Sequence, residues 1–171
     1  MIRDARKDDA AAVAALWNPV IRDTAITFNR VERTAGEVAD LIAARHGFFV
    51  AEAEGRITGF AYYGQFRGGI GYAHTMEHTV LVDDAARGTG VGRALMRHLM
   101  DHAAARGAHS LFAGVSGENP AGVAFHARLG FEEVAVLRQV GRKFGRWMDL
   151  HLMQKHLTAS QRLPDTGGQP R

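Results

Sequence analysis

Three kinds of residue in this chain stand where they can do chemistry. The first make a phosphate cradle. Thr79 to Val82 is a β-branched apolar run, Asp83 and Asp84 form an acidic turn, and Arg87, Gly88, Gly90 and Gly92 lead into Val91, Leu95 and Leu99, four residues apart. The pattern reads strand, glycine-rich loop, helix. At such a junction glycines let the backbone come close, the first-turn N–H groups are unpaired, and the helix dipole adds about half a positive charge. Arg87, Gly88, Thr89, Gly90, Val91, Gly92 and Arg93 are therefore candidate anion ligands, the two arginines adding charge. The second kind is Glu77, a carboxylate three residues before Val80, a costly place for a charge unless it is solvated or used. The third is histidine, with His74, His78, His98, His102 and His126 at informative positions.

Spacing decides which chemistry these residues fit. Gly88, Gly90 and Gly92 are spaced G-x-G-x-G, which misses the dinucleotide fingerprint G-x-G-x-x-G. Gly92 is followed by Arg93 and Ala94, which excludes a Walker loop. His74, Glu77 and His78 spell H-x-x-E-H, a zinc motif that works on a helix. Here the run continues into a strand, where the two histidines would stand about 13 Å apart at 3.3 Å per residue and could not share one zinc. His98 and His102 have helical spacing, but no third ligand is evident nearby, so exposed histidines are expected and no metal.

Composition sets further bounds. The 171 residues are the length of one domain, and 46% hydrophobic content supports a buried core. No apolar run approaches a membrane span and the charged start MIRDARKDD has no apolar sequel, so no membrane association and a cytoplasmic location are expected. Cysteine is absent, which removes disulfides, thiolate metal sites and an acyl-cysteine intermediate. The net charge of +3 suits an anionic ligand, and the scattered lysines and arginines do not point to nucleic acid. The one dense basic segment, Arg138 to Arg146, is either a solvated loop or part of a site.

These residues need elements to hold them. A short strand is expected over Met1 to Ala5, then a helix from Asp9 to about Ile21 whose core face is Val13, Leu16, Trp17, Val20 and Ile21, with Pro19 bending or ending it. Thr24 to Asn29 reads as a loop. Thr34 with Glu37 opens a second helix that Gly47 closes. Phe48 to Ala53 and Ile57 to Tyr63 form a hairpin around Glu54 and Gly55, and Gln65 to Gly71 is a glycine-rich connection. A helix from Gly90 to about Arg106, a strand from Ala108 to Val115 and a helix from Asn119 and Pro120 to Leu129, stopped by Gly130, follow. Phe131 to Leu137 and Trp147 to Gln154 are late strands joined by the basic segment as a loop. Thr158 to Arg171 is polar, with two prolines and two glycines, and is expected to be a flexible tail.

The motifs together resemble a known family. The run R-x-x-G-x-G from Arg87 to Gly92 after an apolar strand resembles the pyrophosphate loop of the GNAT superfamily of acyl-CoA-dependent N-acyltransferases. Glu77 to Val80 resembles the E-H-S-V strand of its phosphinothricin and methionine sulfoximine acetyltransferase branch, Asn119 to Phe131 the later acyl-CoA segment, and Val140 to Asp149 the branch's C-terminal strand-loop-strand. The resemblance spans about Ile2 to Leu157. It implies one α/β domain over residues 1–157: a twisted mixed sheet splayed at the central strand, with helices on both faces.

It also implies an acetyl-CoA-dependent N-acetyltransferase acting directly on the α-amino group of a small anionic amino acid such as phosphinothricin, methionine sulfoximine or methionine sulfone. Acetyl-CoA would pair its pantetheine arm along Val80, Leu81 and Val82 and touch Asn119. Glu77 would be the general base. His126 stands where many members hold a tyrosine thought to protonate the thiolate, and acid, base and structural roles stay open for it. Phe28, Arg67, Tyr72, Thr75, Lys143 and Arg146 would form the acceptor pocket, and the implied assembly is a homodimer in which Phe144 to Trp147 reach the partner's site. Gly68 and Gly69 depart from relatives that carry a basic or bulky residue there. A peptide N-terminus, polyamine or aminoglycoside as acceptor, or an acyl-CoA sensor without turnover, are the alternatives; cationic acceptors fit poorly beside the basic segments.

Overall fold

The computed structural model describes residues 1–157, so the expected tail from Thr158 onward lies outside the described residues. Seven strands form one mixed sheet: β1 (Ile2–Asp4), β2 (Gly47–Ala53), β3 (Arg56–Gln65), β4 (Thr75–Val82), β5 (Ser110–Ser116), β6 (Glu132–Lys143) and β7 (Arg146–His156). They lie side by side in the order β1-β2-β3-β4-β5-β7-β6, and every neighbouring pair is antiparallel except β4 and β5. Four helices cover it: α1 (Ala10–Asp23), α2 (Ala35–Ala44), α3 (Val91–Ala105) and α4 (Pro120–Arg128).

Strand alternation distributes the core between two faces. Phe48, Val50, Phe60 and Tyr62 point toward Val13, Trp17, Ile21 and Val38 of α1 and α2. Phe49, Ala51, Ala61 and Tyr63 point the other way, toward Leu95, Met96 and Leu99 of α3, and partly buried residues of α4 join that cluster. Among the described residues no helix is long and apolar enough to cross a membrane.

Local chemistry explains the boundaries. Thr34 Oγ1 accepts from the Glu37 amide while the Glu37 carboxylate accepts from the Thr34 amide, a reciprocal cap that starts α2. Three boundaries differ from the sequence reading. α1 continues to Asp23 through Pro19. Gly47 is no helix stop: α2 ends at Ala44, and Gly47 opens β2 where a Cβ would strike the Tyr63 ring. The basic segment Arg138 to Arg146 is not a loop. β6 runs to Lys143 and β7 starts at Arg146, joined by Phe144 and Gly145 with φ of 52° and 76°, the doubly left-handed geometry of a two-residue hairpin.

Candidate active site

The sheet comes apart at its centre. β4 and β5 are paired only at Thr75 with Ser110, Met76 with Leu111 and Glu77 with Phe112. Beyond Glu77, β4 stays with β3 as far as Val82, while Ala113 to Ser116 of β5 stay with β7. The inner edges thus diverge, leaving backbone groups without a strand partner. A cavity of 330 Å³ fills the gap, walled by His78 to Leu81, Ala113 to Ser116, Asn119, His126 and, from the α1 side, Trp17 and Phe28. Such a slot suits an extended ligand that adds itself as a strand. A larger open groove of 740 Å³ runs along α1, but Asp8, Asp9, Glu52, Asp83 and Asp84 among its walls make it a poor place for an anion.

The far end of β4 delivers the chain to the expected anion cradle. Gly88 and Gly90 have φ of 78° and 90°, a conformation that favours glycine, and no atom lies within 4 Å of a Cβ built on either. The first helical bond of the next element runs from the Ala94 amide to Gly90 O, so the amides of Val91, Gly92 and Arg93 have no carbonyl behind them. The loop is exposed, with Thr89 Oγ1 folded back on Ala86 O and Arg87 paired with Asp84 at 2.8 Å.

Glu77 stands where the splay begins. Its side chain is exposed, opposite Gly64 in the register with β3. Partial desolvation raises its carboxyl above the ordinary value, and the charge of Arg45 opposes that shift. Arg45 follows the end of α2 and stacks on Tyr62, its guanidinium carbon 5.1 Å from the ring centre.

His78 points to the other face and closes the gap that Glu77 opens. Its Nδ1 lies 2.9 Å from Phe112 O, where backbone pairing stops, and its Nε2 meets His126 Nε2 at 3.0 Å. His126 is buried, with Nδ1 2.8 Å from Gly122 O one turn earlier in α4. Asn119 caps that helix, its Oδ1 accepting from the Gly122 amide at 2.9 Å. Burial lowers both imidazoles, and His78, which also feels His126, is pushed down to about 3.

The expected acceptor residues are not gathered in one place. Phe28 lines the splay cavity, beneath Gly141 of β6, where any Cβ would collide with its ring. Lys143 does not offer its charge to a ligand: it is buried at 2% exposure, and Nζ donates to the carbonyls of Ile21, Thr24 and Thr27 at 2.6, 2.6 and 2.9 Å. Arg146 is exposed and grips Glu118 with two bonds of 2.9 and 2.5 Å. The Arg67 guanidinium of the Gln65 to Gly71 connection stacks on Tyr72, which directly follows it, 5.6 Å from the ring centre, and Thr75 is half-buried at the start of β4. Of the histidines expected to be exposed, His98 is, whereas His102 is half-buried between Tyr63 and Arg106.

Residues 2–152 match the acetyltransferase (GNAT) domain. The chain belongs to the GNAT family. Among relatives of this GNAT chain are the L-amino acid N-acyltransferase MnaT of Escherichia coli and the L-methionine sulfoximine/L-methionine sulfone acetyltransferase of Salmonella typhimurium. Both are 39% identical over 160 residues, covering 91% of this chain and 93% and 94% of theirs. A GNAT superfamily phosphinothricin acetyltransferase from Sinorhizobium meliloti, solved in complex with acetyl-CoA, superposes with a TM-score of 0.89 at 29% identity, covering 97% of this chain and 96% of that one. The splayed sheet is thus the GNAT fold, and the enzyme is an N-acetyltransferase.

Two features of the candidate site escaped the sequence reading. His78 stood out as half of a rejected zinc motif and as part of the E-H-S-V-like strand, with no role drawn for it, although strand alternation already puts it on the face opposite Glu77. Arg45 gave no signal, because α2 brings it to Glu77 through the tertiary fold alone.

Proposed function

We propose that this enzyme transfers the acetyl group of acetyl-CoA directly to the α-amino group of a small anionic amino acid, of the kind named for its relatives: methionine sulfoximine, methionine sulfone or phosphinothricin. The observation that carries the reading is the single line formed by the glycine cradle, the unpaired edge of β4 and Glu77. Pyrophosphate would lie on the amides from Gly88 to Arg93, with Arg87 and Arg93 adding charge. The pantetheine arm would run along Val80, Leu81 and Val82 past Asn119, and an amide freed by the splay would face the developing oxyanion.

Glu77 would take the ammonium proton, directly or through water. A carboxyl raised above its ordinary value is a better proton acceptor at neutral pH than an unperturbed one. His126 lines the cavity on the side where the thiolate would depart. Phe28 would bound the acceptor and Arg45 would be available to a carboxylate, while Arg67, Tyr72 and Thr75, which are not among the cavity's walls, would act on the acceptor only from outside it. Lys143 would act through the loop it anchors, and Arg146 through its clamp on Glu118.

The test is thiol release from acetyl-CoA with phosphinothricin, methionine sulfoximine, methionine sulfone, spermidine and a short peptide in parallel. Turnover of an anionic amino acid supports the reading. Turnover confined to spermidine or peptide leaves the fold standing and overturns the acceptor assignment.

A further inference from the structure

The two imidazoles that bridge the splay are bound in a way that fixes their hydrogens. His78 Nδ1 faces Phe112 O and His126 Nδ1 faces Gly122 O, at 2.9 and 2.8 Å. A peptide carbonyl only accepts, so each Nδ1 carries a hydrogen and donates it. In neutral rings both Nε2 atoms are then bare acceptors, and they face each other at 3.0 Å. One added proton turns that repulsion into a charge-assisted N–H···N bond. A second proton would set two hydrogens and two like charges against each other.

We propose that His78 and His126 bind one proton between their Nε2 atoms and that this two-ring unit, rather than His126 alone, is the acid that protonates the departing thiolate. The destination of the proton rests on the acetyl-transfer reading; the sharing of it does not. In a turnover the acceptor nitrogen loses two protons as ammonium becomes amide. The sulfur gains one from the histidine pair when the carbon–sulfur bond breaks, and the net remaining proton goes to solvent. The pair is left with two opposed lone pairs and recovers its proton from water. His78 is the positioning residue: it holds the Nε2 of His126 against its own and shares the charge, and the proton reaches the sulfur when that N–H···N bond opens toward the cavity that both rings line.

The surroundings allow this pair to titrate as one unit. Phe125 and Phe131 pack on the rings with centroids 5.2 to 5.4 Å away, and β5 contributes the Phe112 carbonyl. Glu77, the adjacent carboxylate, lies on the opposite face of β4. Among the described residues no charged side chain is hydrogen-bonded to either ring. Burial makes the first proton easy to give up, and the first proton together with burial holds off the second until about pH 3.

The experiment is a pH titration of the whole chain by ¹⁵N NMR of its histidine rings, without ligand. Both Nδ1 should be protonated throughout, and the two Nε2 signals should move together in a single one-proton step, with no second step until close to pH 3. A bare Nδ1 on either ring, or two independent titrations near the ordinary histidine value, overturns the shared proton. The companion measurement is the pH profile of kcat for wild type and His78→Gln. The variant should lose about a hundredfold in kcat, keep its acceptor KM, and lose the decline of kcat at rising pH. A variant with the wild-type profile overturns the acid role. Wild type inactive with every acceptor, with the NMR step present, would remove the acetyl-transfer reading and leave the shared proton standing.

Discussion

His78 ties catalysis to stability through one imidazole. Its folded value of about 3 lies far below the ordinary histidine value, so between about pH 6.5 and 3 the unfolded chain binds a proton that the folded chain refuses. The sign follows: stability falls as pH falls through that window, with a slope approaching about 1.4 kcal/mol per pH unit from this group. Urea denaturation at a series of pH values should show the loss, and His78→Gln should flatten it. The residue scale is also where sequence carried least. The left-handed turns at Gly88 and Gly90 were legible because their backbone needs are written in residue type, and Glu77 stood out as a candidate because it is a lone carboxylate in an apolar strand. The His78–His126 contact was not, since it joins residues 48 positions apart across two elements.

At the scale of elements, the β6–β7 hairpin backs Phe28, which lines the splay cavity. Lys143 Nζ fastens it to three carbonyls at the end of α1 and in the following loop, and Gly141 seats Phe28 under it. Replacing Lys143 by Met removes a charged donor from those carbonyls and should cost about 2–3 kcal/mol in denaturant unfolding, with a rise in acceptor KM as the loop loosens. Gly141→Ala should displace Phe28 and raise acceptor KM while leaving acetyl-CoA affinity unchanged, measured by calorimetric titration. The hairpin was misread as strand, loop, strand because Arg138, Arg142 and Lys143 resemble a solvated stretch. Cross-strand pairing with β7 overrides that polarity, and the turn shrinks to Phe144 and Gly145. The helices were easier to read, because their apolar spacing and caps are local.

For the whole molecule, β6 is an edge strand twelve residues long that exposes Val134, Val136, Leu137 and Val140, with Phe144 and Trp147 exposed at and just beyond its turn. An apolar edge of this kind invites pairing, and the homodimer that the family resemblance implied is the prediction it makes testable. Sedimentation velocity should give a dimer, and Val140→Asp should shift it toward monomer; a wild-type monomer at micromolar concentration would overturn that prediction. The fold as a whole was legible because each level agreed: alternation in the strands, period in the helices, and glycines at the turns. The divergence of β4 from β5 cannot be derived from strand patterning, since both strands look ordinary alone.

The proposed chemistry turns on that divergence, with Glu77 as the proposed base beside it. The most direct measurement is steady-state acetylation of methionine sulfone by wild type and Glu77→Gln, with acetyl-CoA affinity determined in parallel by calorimetry. The amide variant should bind acetyl-CoA as wild type does and lose at least about a hundredfold in kcat, with part of the loss recovered at higher pH, where free amine is supplied by solvent. Undiminished kcat in Glu77→Gln at neutral pH would contradict the role of Glu77 as base.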